Sequence, residues 1–151
     1  MPLESTLRFA DRVEDYIRYR PGYPVGVVSV LIERSGLRAG QTVADIGSGT
    51  GKSCEPFLDA GLRVIGVEPN REMREAGDAL LARFNTFRSV DGRAEATTLP
   101  DASVDAAIAG QAFHWFDTVA ARQELARIVR PPGLIALIWN DRETESTAFL
   151  R

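Results

Sequence analysis

Directly after a short apolar run, Thr42–Ile46, the chain reads Gly47-Ser48-Gly49-Thr50-Gly51, with a carboxylate, Asp45, near the end of the run. Alternating glycines make a turn whose backbone can approach a ligand closely, because no Cβ intervenes. The pattern then repeats as strand and helix. Lys52–Ala60 reads as a helix closed by Gly61, and Arg63–Val67 as a strand ending at Glu68-Pro69. Arg71–Phe84 reads as a helix interrupted by Gly77. Thr86–Val90 and Val104–Ala109 read as strands and Thr118–Val129 as a helix. Pro131-Pro132-Gly133 breaks that helix ahead of a fifth strand, Leu134–Trp139. Upstream, Leu7–Tyr19 has helical spacing and stops at Pro21, while Pro24–Arg34 is a second helix with Gly36 as its stop.

Strands spaced by helices of this length imply βαβ units and a parallel sheet. Right-handed crossovers then give an α/β, Rossmann-like, doubly wound sheet with helices on both faces. The apolar runs of the first, second, fourth and fifth strands predict cover on both faces. Ligands of such sheets lie at the carboxyl ends of the strands, where the residues singled out below fall.

Composition narrows the chemistry. The 151 residues suit one domain, and 18 Lys+Arg against 21 Asp+Glu give −3, with no basic excess for nucleic acid. One cysteine, Cys54, excludes an internal disulfide framework, and one histidine, His114, excludes any site needing two. No metal site is expected. No apolar run reaches the ~18–20 residues that span a bilayer, and residues 1–20 lack the apolar block of a signal peptide, so a cytoplasmic protein without membrane contact is expected.

Three ligand classes use a glycine turn of this kind. A P-loop needs Gly, four residues, then Gly-Lys-Ser/Thr; Gly51-Lys52-Ser53 fits the end, but Ile46 stands at the first position. A G-x-G-x-x-G dinucleotide fingerprint counted from Gly47 puts Lys52 where the last glycine belongs, although Glu68 supplies the acid about 20 residues on. The third class is a nucleoside with a cationic amino-acid tail and no phosphate. Asp45 can attract its ammonium group, and Glu68 can accept both ribose hydroxyls.

The sequence resembles the class I S-adenosylmethionine-dependent methyltransferases, and most of all their small-molecule branch with the type 11 methyltransferase domain. The resemblance runs from about Tyr19 to Asn140. It is carried by Asp45-Ile46-Gly47-Ser48-Gly49-Thr50-Gly51, by Val67-Glu68-Pro69-Asn70 with Met73, and by Gly92-Arg93-Ala94-Glu95 before Leu99-Pro100. Gln111-Ala112-Phe113-His114-Trp115-Phe116 and the entry segment Arg20-Pro21-Gly22-Tyr23-Pro24 complete it.

The resemblance implies S-adenosylmethionine as cofactor. Asp45 and the Gly47, Ser48, Gly49, Thr50 and Gly51 backbone would hold its methionine part, and Glu68 its ribose. Met73 would pack on the adenine or ribose, with Pro69 also among the cofactor-binding residues and the Ala94 backbone and Glu95 at the adenine edge. Gly110 and Gln111 would flank the reacting methyl. Many relatives carry an aspartate where Arg93 stands, so only backbone contacts are expected there. His114 is the one imidazole available to deprotonate or orient an acceptor; the plainer alternative is a histidine that hydrogen-bonds its own loop. Tyr19, Arg20, Tyr23, Phe113 and Trp115 would line or close over the pocket, with Arg20 pairing with the methionine carboxylate; a proline-bounded turn and core aromatics are the alternative. Asp105 is expected to pair locally, Cys54 to be a small buried residue, and Lys52 and Ser53 to lie at the surface in the first helical turn.

Relatives carry seven strands, the last two an antiparallel hairpin; five are read here. The expectation is therefore a single domain that stops short of the hairpin: N-terminal helices over 1–40, a cofactor-binding core over 41–140 and a shortened tail over 141–151. The expected activity is methyl transfer to a small-molecule acceptor, with a carboxylic acid suggested by likeness to trans-aconitate-type methyltransferases. A cofactor- or nucleoside-binding module without catalysis is the alternative. An apolar fifth strand left at an edge would make the chain a monomer or a dimer paired through that edge.

Overall fold

A computed structural model describes residues 22–110 and 116–139. The expected helix over Leu7–Tyr19, the segment Gln111–Trp115 and the tail after Trp139 lie outside them. The elements in chain order are α1 (Val25–Ser35), β1 (Thr42–Ile46), α2 (Glu55–Asp59), β2 (Arg63–Val67), α3 (Arg71–Leu80), β3 (Phe87–Val90), β4 (Val104–Gly110), α4 (Thr118–Ile128) and β5 (Val129–Ile138).

The strands form one sheet in the order β3-β2-β1-β4-β5. Every pairing is parallel: Asp45 of β1 stands between Gly66 of β2 and Ile108 of β4. The chain builds outward from β1 to β3, then crosses back to lay β4 on the other side of β1. That reversal makes the carboxyl ends of β1 and β4 the switch point of the sheet.

Both faces are covered, which is why the central strands read as unbroken runs of small and branched apolar residues. Ala44, Ile46, Ile65, Val67, Ala107 and Ala109 face Leu125 and Ile128 of α4. Val43, Val64, Ala106 and Ile108 face Val28 of α1 and Phe57 and Leu58 of α2.

The local signals behave as their chemistry requires, with four corrections. Gly36 closes α1 in the left-handed region, at φ 68°. α2 starts at Glu55 rather than Lys52, because Gly51 to Cys54 form a tight turn, with the Cys54 N–H on the Gly51 carbonyl, and Pro56 lies in the first turn. α3 runs unbroken through Gly77 and ends at Leu80, four residues short of Phe84. Asn70 caps its start by accepting from the Met73 N–H at 3.0 Å. Pro131-Pro132-Gly133 does not separate α4 from β5. Val104 pairs with Val129 and Ala106 with Leu134, so residues 130–133 bulge out within β5. An edge strand tolerates prolines there because their missing N–H groups are not needed.

The expected two-sided cover of β5 is also corrected. Leu134 and Ala136 pack on the α1 side, whereas Ile135 is 42% and Leu137 38% exposed. β5 is an edge of the described sheet, and among the described residues no helix covers its second face fully.

Candidate functional site

The glycine turn hangs on the end of β2. The Val67 carbonyl accepts from the Gly47 N–H at 2.8 Å and from the Ser48 N–H at 3.2 Å. Gly47, Gly49 and Gly51 have φ of 71°, 56° and 83°, where a side chain would be strained, so the spacing of the glycines is dictated by the path of the turn. Thr50 is buried, and among the described residues its hydroxyl has no hydrogen-bond partner.

Glu68 follows β2 directly and meets the turn. Its Oε2 accepts from the Gly49 N–H at 2.9 Å and its Oε1 from the Asn70 N–H at 3.0 Å. Arg74 donates to the Glu68 carbonyl at 2.8 Å and pairs with Asp91 at 3.3 Å, which fixes the backbone behind the carboxylate. Burial pushes the Glu68 carboxyl above its ordinary value, and the Asn70 and Gly49 N–H groups and Arg74 offset this only in part. Two backbone donors hold the group still, yet each oxygen keeps acceptor capacity for a further hydroxyl.

Asp45 lies wholly inside, beneath the turn. Its Oδ2 accepts from Ser53 Oγ and from Cys54 Sγ, the latter at 3.2 Å. The carboxylate thus braces the start of α2 against the end of β1. Ser53 is accordingly buried, not a surface residue, because its hydroxyl is needed by Asp45. Burial, followed by the Asp45 charge, pushes the Cys54 thiol well up, so Cys54 is an inert core group.

Met73 is buried in the first turn of α3, beside Pro69 and the Asn70 cap. Arg93 and Ala96 exchange backbone hydrogen bonds at 3.0 and 3.1 Å, closing a small turn that carries buried Ala94. Glu95 accepts from the Asp117 N–H at 2.8 Å, tying this turn to the cap of α4. Glu124 of α4 accepts from the N–H and hydroxyl of buried Thr97, at 2.8 and 2.7 Å. Its hydrogen bond to Arg127 is the largest reason that its carboxyl falls to about 2.

At the end of β4, the Tyr23 ring lies against Gly110. A Cβ on Gly110 would stand 2.6 Å from the Tyr23 hydroxyl. Phe116 packs against the core on the α4 side. Asp105 pairs not with its sequence neighbours but across the sheet, accepting from the Thr42 N–H at 2.9 Å at the start of β1 and facing Arg130 of β5 at 3.3 Å.

The structure therefore gathers Gly47 to Gly51, Glu68 to Met73 and the Gly110–Tyr23 contact along the carboxyl ends of β1, β2 and β4. Ala94 and Glu95 lie on the turn that follows β3. Tyr19, Arg20, Gln111, Phe113, His114 and Trp115 lie outside the described residues. Sequence reasoning missed Ser53, the Asn70 cap and the Thr97–Glu124 tie. Only Asn70 carried a local signal, as an N-cap residue before a helix. Among the described residues no group of three or more His, Cys, Asp or Glu could hold a metal ion, and no helix is long and apolar enough to cross a membrane.

Known proteins share this arrangement. Residues 44–137 match the family model described as "Methyltransferase domain". An uncharacterised methyltransferase of Mycobacterium tuberculosis is 38% identical over 140 residues, covering 93% of this chain and 55% of that protein. A fission yeast counterpart, from Schizosaccharomyces pombe, is 33% identical over 136 residues, covering 89% and 53%. A solved structure from Anaeromyxobacter dehalogenans, provisionally named a type II methyltransferase, superposes with a TM-score of 0.72 at 32% identity over 82% of this chain and 50% of that one. The chain spans about half the length of the curated relatives it matches. With its sheet order, its glycine turn and its terminal carboxylate on β2, the chain belongs to the methyltransferase-domain family of class I S-adenosylmethionine-dependent methyltransferases.

Proposed function

We propose that this chain binds S-adenosylmethionine across the carboxyl ends of β1, β2 and β4 and that its site serves methyl transfer to a small-molecule acceptor. The observation that carries this reading is the Glu68 carboxylate, held between the Gly49 and Asn70 N–H groups at the rim of a turn built from three left-handed glycines. A fixed carboxylate with spare acceptor capacity suits a ribose diol, and a side-chain-free turn beside it suits the amino-acid tail. Asp45 contributes its negative charge from below the turn while bracing Ser53. Pro69 and the backbone of the turn that carries buried Ala94 border the adenine, with Met73 packed beneath, and Glu95 lies at its edge.

When bound, the cofactor supplies a methyl group activated by a sulfonium. The protein's part is to align the acceptor with that methyl and exclude water. Tyr23, seated on Gly110, closes the β4 end of the site, with Tyr19, Arg20, Phe113 and Trp115 as further closing residues and Gln111 beside the methyl. His114 deprotonates or orients a hydroxyl or amine acceptor. A carboxylic acid, the acceptor class favoured here, needs no base because its ionised form is already the nucleophile.

Incubation with S-adenosylmethionine and a panel of small carboxylic acids, phenols and amines tests the reading, with mass spectrometry as the readout. Gain of one methyl by an acid, lost in Glu68→Ala, is the expected result. Saturable cofactor binding with no transfer to any acceptor would make the chain a binding module.

A further inference from the structure

We infer that Gly66 is a positioning residue for the cofactor turn, acting through the side chain of Ser48; the inference rests on the reading of that turn as the methyl-donor site. Gly66 lies in the interior of β2, opposite Asp45. A glycine weakens a strand there and needs a reason. The reason is not the backbone, since the positive-φ glycines do not include it. It is room. A Cβ built on Gly66 would stand 2.7 Å from Ser48 Oγ, 3.2 Å from Ser48 Cβ and 3.4 Å from Phe87 Cε2. Ser48, only 7% exposed, has its side chain in the space that a side chain at position 66 would fill.

The next residues of the same strand end hold the same turn. Gly47 and Ser48 donate to the Val67 carbonyl, and Gly49 donates to the Glu68 carboxylate. Three successive turn amides are therefore referenced to β2, and the Ser48–Gly66 seat sets how closely the turn lies against it. A methyl group at position 66 must lift Ser48. Lifting Ser48 draws the Gly49 N–H away from Glu68, and the group that holds the ribose loses its register with the turn that holds the methionine part. Ser48 thus serves the cofactor by locking the turn from behind.

The test is a double-mutant comparison on the full chain. Gly66→Ala is introduced with Ser48 intact and again beside Ser48→Gly, which removes both close contacts. The readouts are the dissociation constant for S-adenosylhomocysteine and the hydrogen exchange of the Gly47, Ser48 and Gly49 amides. With Ser48 intact, Gly66→Ala should weaken binding and speed that exchange by about tenfold or more; beside Ser48→Gly both ratios should shrink to about threefold or less. Equal ratios in the two backgrounds overturn the inference. If Gly66→Ala alone does not fold, the double variant must recover the fold, and an unfolded double variant overturns it equally. If the folded parent does not bind S-adenosylhomocysteine, the functional reading fails, and the exchange ratios still decide whether Gly66 seats the turn.

Discussion

Glu68 concentrates the two demands on the site. Burial raises its carboxyl, while its proposed work requires the ionised, acceptor form. A carboxylate raised in the folded chain favours folding below its ordinary range, and that contribution is lost as pH rises through the raised value. Binding runs the other way. S-adenosylhomocysteine affinity should fall as pH drops into the raised carboxyl's range, and Glu68→Gln should flatten that dependence while weakening binding at neutral pH by about tenfold or more, the order of a lost charged hydrogen bond. Calorimetry across pH checks this; an unchanged pH profile in Glu68→Gln would contradict it. The place of Glu68 directly after β2 was legible in the sequence, because the apolar run Arg63–Val67 ends there. Ser53 was not, because its partner, Asp45, lies eight residues back and only the folded turn brings the two together.

α2 and α4 show how short elements acquire stability from what they cover. Five residues cannot sustain a helix in water, so α2 depends on burying Phe57 and Leu58 against the sheet. Phe57→Ala should cost about 3–5 kcal/mol, read as a lower midpoint in denaturant with the slope unchanged. α4 is tied down by Glu124, whose carboxyl is held at about 2 chiefly by its hydrogen bond with Arg127. A lowered carboxyl contributes stability above its unfolded value, and the contribution is lost as pH falls from there through about 2. Glu124→Gln should therefore lower Tm at neutral pH by roughly 3–8 °C and make the acid limb shallower. The strands of the core were readable to within a residue or so because fully covered strands cannot hide their apolar runs. Both ends of α1 and α4 were read to within a residue, but the start of α2 and the end of α3 were not, because the Gly51–Cys54 turn and the Leu80 stop carry no signal of their own in the residue pattern. The bulge in β5 was missed because two prolines and a glycine look like a break whether they end an element or kink it.

Taken whole, the chain places the proposed cofactor-binding elements on one rim of the sheet, and an apolar strand, β5, is an edge of the described sheet. Ile135, Leu137 and Trp139 are 42%, 38% and 49% exposed. Such an edge recruits another strand. The chain is predicted to self-associate with rising concentration, and Leu137→Lys should shift it toward monomer in light scattering; a parent monomeric at every concentration would count against edge pairing. The doubly wound parallel sheet followed from the sequence, since alternating strands and helices permit few right-handed windings; the order of its strands came from the structure. The cover of β5 did not, because an apolar run reads alike whether one face is packed or two.

The claim at the centre of this account is that the turn and Glu68 together hold S-adenosylmethionine. It is tested most directly by calorimetric titration of residues 1–151 with S-adenosylhomocysteine beside Glu68→Ala. Saturable binding with one site, weakened at least about tenfold by the substitution, is the predicted result. A chain that circular dichroism shows to be folded and that takes up no S-adenosylhomocysteine would contradict it, as would binding that Glu68→Ala leaves unchanged.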